Sequence, residues 1–327
     1  MKRMVLFFYR VNMIKQLYYD LVFKIKPPRV GVIATLTRSG TWYCRCFFFA
    51  FHKLLNGDKF DSTELVREFY AEDREFRNIK KTIGLDKLII AHATCPGFKE
   101  HYHGNLRDAW DKLEFYGEGQ AHDNGDIIMQ KPRRKKVYDP YYNRNAKIVY
   151  FYRNPLDQAV SFLARLPDYQ RKHTMYKKDA SGGKVFFTDV KEYIYSAGLD
   201  AYIKQFFTFK EMRKIFPKNI LMIPYEHLIR EPEKTFTALL EHFGYEAQSE
   251  WQKVKVRQAI ELASQENLKK AEQKLGMSLA NEGAPGTSHM RGGAVGKWKD
   301  YFDEIDLDKI EKRMAEFNLS LKDCVIE

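Results

Sequence analysis

Short apolar runs alternate along the chain with longer stretches in which apolar residues recur at helical spacing. Four of the runs are rich in β-branched or aromatic residues and are bounded by polar residues or proline, which is typical of buried strands. These runs are Val30–Ala34, Lys87–Ala91, Lys147–Tyr152 and Ile220–Ile223. Because helix-length stretches separate the runs, we predict an α/β fold with a central parallel sheet flanked by helices on both faces.

The stretches between the strands predict helices with polar outer faces. They are Trp42–Leu55, Ser62–Asn78, Leu106–Leu113, Pro155–Arg165, Asp189–Phe216, Pro232–Phe243, Glu250–Lys274 and Leu307–Phe317. No repeat and no clear boundary interrupts this series, so a single domain is predicted over residues 30–327. Residues 1–29 are predicted to form an N-terminal helical extension.

Three segments lack periodic patterns. Residues 94–146 are irregular and polar, residues 168–183 are predicted to be a mobile basic loop, and residues 276–300 are rich in glycine. Since glycine leaves the backbone unconstrained, the last segment is interpreted as a flexible lid.

The composition indicates which kinds of ligand and which cellular location to expect. The 327 residues carry a formal net charge of +12, which suits nucleic acid, an acidic membrane surface or an anionic small ligand. The four cysteines, Cys44, Cys46, Cys95 and Cys324, show no Cys-x-x-Cys spacing. We therefore expect a reducing, cytoplasmic location and no metal site.

The N-terminal apolar run, Met4–Tyr9, is too short for a signal peptide or a membrane span. A helix that packs on the domain or forms a homodimer is favoured over a peripheral membrane helix.

The loop Thr35–Thr41 joins the first predicted strand to a helix and contains glycine, hydroxyls and Arg38. The first N–H groups of a helix lack intrahelical partners and its dipole attracts negative charge, so such a loop can hold an anion. It is P-loop-like but lacks the lysine of a Walker motif. The alternative is an ordinary strand-to-helix turn with a serine or threonine as N-cap.

Four side chains with relevant chemistry follow the predicted carboxyl ends of the four strands: Arg38, His92, Arg153 and Tyr225. Ligands of parallel α/β sheets gather at that edge. The pattern therefore predicts one crevice that holds an anionic ligand beside a histidine.

Four segments, in order, resemble motifs of the sulfotransferases that use 3′-phosphoadenosine 5′-phosphosulfate (PAPS). Residues 35–41, Thr-Leu-Thr-Arg-Ser-Gly-Thr, are similar to the 5′-phosphosulfate loop, and residues 153–161, Arg-Asn-Pro-Leu-Asp-Gln-Ala-Val-Ser, to the 3′-phosphate segment. Residues 225–228, Tyr-Glu-His-Leu, resemble Tyr-Glu-Asp-Leu. Residues 291–299, Arg-Gly-Gly-Ala-Val-Gly-Lys-Trp-Lys, resemble Arg-Lys-Gly-x-x-Gly-x-Trp-Lys.

The resemblance implies two cationic sites for the two anionic ends of PAPS, which leaves as 3′-phosphoadenosine 5′-phosphate (PAP). The 5′-phosphosulfate is expected to contact Arg38, Ser39, Gly40 and Thr41, and the 3′-phosphate is expected to contact Arg153, Ser161 and Arg291. Trp42, Gly292 and Gly293 are also expected to bind PAPS. Tyr225 is expected near the adenine, where Trp42 or Tyr43 could also stack, although both are equally compatible with a buried core.

His92 is the candidate general base, because a neutral imidazole can accept the proton of an attacking hydroxyl or amine near neutral pH. Arg38 is expected to stabilise charge on the leaving phosphate. The chain departs from the family at Ile90, where cytosolic members carry lysine, and at Arg38, where lysine is usual and tyrosylprotein-type members carry arginine.

We therefore predict a PAPS-dependent sulfotransferase that acts on a hydroxyl or amine of a small molecule, without metal or nucleic acid. The acceptor pocket is expected to include the insertion at residues 94–146, whose acids could face a cationic acceptor or solvent. A tyrosylprotein- or glycan-type sulfotransferase is the enzyme alternative. A basic protein that binds nucleic acid or a membrane, through residues 131–136 and 170–178, is the alternative from another class.

Overall fold

The computed structural model describes residues 27–35, 39–68, 83–92, 140, 143–163, 176–178, 181, 184–187, 189–276 and 295–324. Its strands and helices, in chain order, are β1 (Val30–Thr35), α1 (Thr41–Leu55), α2 (Ser62–Glu68), β2 (Lys87–His92), β3 (Ala146–Tyr152), α3 (Pro155–Leu163), β4 (Tyr176–Lys178), β5 (Lys184–Phe186), α4 (Val190–Tyr193), α5 (Leu199–Ile215), β6 (Ile220–Pro224), α6 (Tyr225–Arg230), α7 (Pro232–His242), α8 (Glu250–Leu262), α9 (Gln265–Leu275) and α10 (Glu304–Ala315). A π-helical turn, Ile194–Gly198, joins α4 to α5, and 3₁₀ turns cover Lys297–Asp300 and Leu321–Asp323.

The central sheet has the strand order β2-β1-β3-β6, and all three neighbouring pairs are parallel. This confirms the predicted α/β fold with a central parallel sheet and the four strand positions. The register pairs Thr35 with both His92 and Phe151, and it pairs Tyr152 with Pro224. The four strands therefore end at one edge, as the sequence predicted.

The two faces of the sheet carry different helices. Ala34 and Tyr150 point to the face covered by α3, α5 and α10. Ile33 and Val149 point to the opposite face, which is covered by α1, α7 and α8. Helix α1, which follows β1, thus covers one face of the sheet, and helix α3, which follows β3, covers the other. Such a reversal opens a crevice between the ends of two neighbouring strands, where ligands of doubly wound sheets bind.

The structure differs from the predicted elements at three places. The helix predicted over Glu250–Lys274 is two helices, because the Ser264 side chain accepts a hydrogen bond from the N–H of Asn267 and begins α9 there. The short helix α6 follows Pro224 directly and was not predicted. A β4-β5 hairpin with antiparallel pairing lies within and just after the segment predicted to be a mobile loop.

Several predictions fall outside the described residues. These are the N-terminal extension up to residue 26, nearly all of the insertion at 94–146, and residues 277–294 of the predicted lid. Among the described helices, none is long and apolar enough to cross a membrane.

Candidate functional site

The N-terminus of α1 lies at the carboxyl end of β1. Gly40 occupies the N-cap position with φ of 92°, a left-handed conformation that favours glycine. Glycine has no side chain with which to cap the helix, and no acidic residue follows in the first turn. The N-cap is therefore Gly40, and not a serine or threonine as the alternative of an ordinary turn expected. The first N–H groups of α1 form an N-terminus suited to an anion.

Two hydroxyl residues flank this helix start. Ser39 is fully buried, and its Oγ has no hydrogen-bond partner among the described residues. The Oγ1 atoms of Thr41 and Thr35 are hydrogen-bonded at 2.5 Å, which ties the start of α1 to the end of β1. A buried hydroxyl without a partner costs free energy, so Ser39 fits a site at which a ligand oxygen accepts its hydrogen.

The chain turns sharply after β3, at Arg153. The Asn154 side chain accepts a hydrogen bond from the N–H of Leu156, and Pro155 occupies the first helical position of α3. Asparagine at the N-cap and proline at the next position are a favoured helix start, and Pro155 begins the helix as predicted. The turn leaves Arg153 at the carboxyl edge of the sheet, with only 4% of its surface exposed.

The Tyr225 ring is close to both segments predicted to bind phosphate groups. The guanidinium carbon of Arg153 is 4.6 Å from the ring centroid. A Cβ built on Gly40 would lie 3.2 Å from Tyr225 Cδ2 and 2.8 Å from Leu228 Cδ2. Arg153 and the α1 N-terminus thus both lie next to the same aromatic ring.

Glu226 is a buried carboxylate beside Arg153. Its Oε1 accepts a hydrogen bond from the backbone N–H of Asn154 at 3.2 Å. Burial raises the pKa of Glu226, while the Asn154 N–H and the Arg153 charge act in the opposite direction. Because it holds the turn at Asn154, Glu226 fixes where Arg153 leaves the strand.

His92 ends β2, and its backbone lies beside Thr35 in the register of the sheet. Two residues earlier, the Ile90 carbonyl oxygen accepts two hydrogen bonds from Arg45 of α1, from Nε at 3.2 Å and from Nη2 at 2.9 Å. This contact ties the end of edge strand β2 to the helix that begins at the predicted anion site. The side chain of His92 itself is not among those described.

The structure brings together several of the predicted site residues. Ser39, Gly40, Thr41, Arg153 and Tyr225 share the edge of the sheet. Arg38, Arg291, Gly292 and Gly293 lie outside the described residues.

The remaining predicted site residues lie on helices. Ser161 is half-buried on α3. Trp42 is half-buried and its ring centroid is 5.7 Å from the Arg45 guanidinium carbon. Tyr43 packs edge-on against Phe236 and so belongs to the core.

Three residues with a structural part in this site were not predicted: Arg45, Asn154 and Glu226. Asn154 and Glu226 stand inside the quoted motifs, so the motifs already pointed to them. Arg45 carried no such signal, because its partner is a backbone carbonyl on another strand. Among the described residues, no group of three or more histidine, cysteine or acidic side chains could hold a metal ion.

The chain was compared with known proteins. The family model of the sulfotransferase domain matches residues 28–319, whereas no curated protein sequence matches the chain. A crystal structure of retinol dehydratase with androsterone and the inactive cofactor PAP has a TM-score of 0.51 at 17% identity, covering 92% of this chain and 82% of its own. A second crystal structure, of retinol dehydratase with retinol and PAP, has the same TM-score and identity, covering 92% of this chain and 83% of its own.

The structural likeness agrees with the parallel sheet and its flanking helices, and the family match spans all four segments whose motifs were recognised in the sequence. The chain therefore belongs to the sulfotransferase family, and the resemblance to PAPS-dependent sulfotransferases is confirmed.

Proposed function

We propose that this protein transfers the sulfuryl group of PAPS to a hydroxyl or amine of a small molecule and releases PAP. The observation that carries the proposal is the crevice between the ends of β1 and β3. An uncapped helix N-terminus and a buried arginine both lie next to the Tyr225 ring. Two anion-binding segments beside one aromatic ring suit a nucleotide that has phosphate groups at both its 5′ and 3′ positions.

The 5′ site is built on α1. Backbone N–H groups at the helix start, the buried Ser39 hydroxyl and Thr41 can donate hydrogen bonds to phosphate or sulfonate oxygens. Arg38 precedes these residues directly in the chain and is proposed to add a positive charge there. These donors stabilise the charge that develops on the leaving 5′-phosphate.

The 3′ site is proposed to contain Arg153, Ser161 and Arg291, with the backbone of Gly292 and Gly293. Arg153 supports the assignment because it is nearly buried and presents a planar fork of N–H donors that suits phosphate. Tyr225, whose ring covers the guanidinium of Arg153, is proposed to border the adenine.

PAPS, when bound, supplies a sulfuryl group on its 5′-phosphate oxygen. We propose that His92 accepts the acceptor proton while the acceptor oxygen or nitrogen forms its bond to sulfur. The bond between sulfur and the 5′-phosphate oxygen breaks, and PAP keeps that electron pair. The backbone of His92 neighbours Thr35, from which the Arg38 loop departs, and this neighbourhood supports a base close to the sulfuryl group.

The acceptor is proposed to be a small molecule. Two crystal structures of retinol dehydratase, which has the same fold, hold androsterone or retinol together with PAP, which is consistent with a small acceptor. We also propose a cytoplasmic protein that needs no metal, in which residues 94–146 contribute to the acceptor pocket.

Transfer of label from ³⁵S-PAPS tests the proposed function. A panel of phenols, alcohols, amines, a tyrosine peptide and a glycan is offered, and we expect labelled product from small hydroxyl or amine compounds. Arg38→Ala is the control and should lower transfer by at least about a hundredfold. Label on the peptide or glycan alone would instead identify the alternative acceptor class, and no PAP binding in calorimetry would overturn the proposed function.

A further inference from the structure

Asp157 joins two segments that lie far apart in the chain. Its Oδ2 accepts a hydrogen bond from the backbone N–H of Gly296 at 2.7 Å, and its Oδ1 accepts one from the N–H of Trp298 at 3.1 Å. The carboxylate is 1% exposed, and Trp298 packs against the core beside α3. The C-terminal segment is thereby attached directly to the helix that follows Arg153.

The carboxylate serves this contact instead of capping its own helix. Asp157 is the third residue of α3, where an acidic side chain commonly accepts from the backbone of the N-cap residue. Here the N-cap residue Asn154 bonds Leu156 with its own side chain, and its N–H is donated to Glu226. Both oxygens of Asp157 therefore accept hydrogen bonds from the Gly296 turn and not from the N-terminus of α3.

Burial of a carboxylate is costly unless hydrogen bonds compensate for lost water. Two backbone N–H groups provide that compensation, and bonds of this charge-assisted kind are among the stronger ones in proteins. They fix the turn that begins at Gly296, which adopts a left-handed conformation with φ of 87° and starts the 3₁₀ turn Lys297–Asp300.

We propose that Asp157 is a positioning residue for recognition of the 3′-phosphate, an inference that rests on the proposed function. Arg291 precedes Gly296 by five residues, so the chain allows at most about 18 Å between the Cα of Arg291 and the fixed Cα of Gly296. Asp157 follows Arg153 by four residues on the other segment. It thus holds together the two segments that supply arginine to the 3′-phosphate, without itself binding the nucleotide.

The test compares Asp157→Asn with wild type in binding PAP and adenosine 5′-phosphate, which lacks the 3′-phosphate, by calorimetry. Asparagine keeps the shape of the side chain but cannot accept both hydrogen bonds. We expect PAP affinity to fall about tenfold and adenosine 5′-phosphate affinity to change less than about twofold. Asp200→Asn is the matched control, because Asp200 is a carboxylate that accepts hydrogen bonds through both oxygens from Arg313 of α10.

The outcomes separate the two proposals. Equal binding of both nucleotides by wild type would overturn the 3′-phosphate assignment in the proposed function. If wild type discriminates and Asp157→Asn discriminates equally well, or loses both affinities alike, only the role of Asp157 is wrong. In an Arg291→Ala background, Asp157→Asn should cause no further loss of PAP affinity. If Asp157→Asn folds poorly, Asp157→Ser is measured with the same criteria.

Discussion

The guanidinium of Arg153 and the ring of Tyr225 are in face contact, with 4.6 Å between the guanidinium carbon and the ring centroid. Both residues are nearly buried at the carboxyl edge of the sheet. The ring holds the arginine in place on one side while Glu226 holds the turn behind it. This arrangement makes the orientation of Arg153 depend on the neighbouring strand β6.

Tyr225→Leu is expected to weaken PAP binding about fivefold to tenfold, because the cation–π contact that orients Arg153 is lost. Adenosine 5′-phosphate should lose less, since it has no 3′-phosphate for Arg153. Tyr225→Phe keeps the ring and should bind PAP nearly as wild type does. Calorimetric titration of both variants checks this, and equal losses in Leu and Phe would contradict the assigned role of the ring.

Gly40→Ala is expected to damage the 5′ site, whereas Gly57→Ala should not. Both glycines have positive φ, so alanine costs about 1 kcal/mol of stability at either position. Only at Gly40 would the new Cβ lie 2.8 Å from Leu228 Cδ2 and 3.2 Å from Tyr225 Cδ2, while at Gly57 nothing lies within 4 Å.

The additional crowding should make Gly40→Ala about 1–3 kcal/mol less stable than Gly57→Ala. Displacement of the helix start should weaken PAP binding by about tenfold or more, while Gly57→Ala binds normally. Urea denaturation and calorimetry measure the two effects. A Gly40→Ala variant with normal PAP affinity would show that the helix start is not part of the nucleotide site.

His92→Ala is expected to lower turnover by about two to four orders of magnitude, the loss typical of removing a general base. Nucleotide affinity should barely change, because His92 is not assigned to a phosphate group. His52→Ala, in the last turn of α1, is the control and should retain turnover. Steady-state rates with an identified acceptor measure the loss of turnover. A His92→Ala variant that keeps most of its activity would show that another residue is the base.

His242 is expected to make stability depend on pH. Its Nε2 lies 3.1 Å from the carbonyl oxygen of Asn219, and burial lowers its pKa from 6.5 to about 4. Between pH 6.5 and about pH 4 this residue binds a proton in the unfolded chain but not in the folded protein. The free energy of unfolding therefore falls as pH falls through this window, by about 2–3 kcal/mol from this residue.

His242→Gln removes this titration and retains an N–H donor for the Asn219 carbonyl. The variant should lose less stability than wild type between pH 7 and pH 4.5, as measured by urea denaturation at both values. An identical loss in the two proteins would mean that His242 titrates normally in the folded state.

The sequence located much of the fold because the relevant signals are local. Runs of β-branched residues identified all four strands of the central sheet, and Asn154-Pro155 identified the start of α3. The Ser264 cap that divides α8 from α9 was also a local signal, but helix-forming residues on both sides of it favoured one continuous helix. The residues proposed for the anion sites came from their motifs, since phosphate recognition needs particular side chains in a fixed short spacing.

The tertiary structure decided the relationships between distant segments. The order β2-β1-β3-β6 and the opposite departures from β1 and β3 place the α1 N-terminus beside Arg153, and these depend on how helices cover the two faces. The bonds from Arg45 to the Ile90 carbonyl and from Gly296 and Trp298 to Asp157 involve backbone groups, which are the same in every residue and leave no mark in the sequence. The sequence alone therefore determined which strands form and which chemistry is present, and only packing decided which of those residues meet.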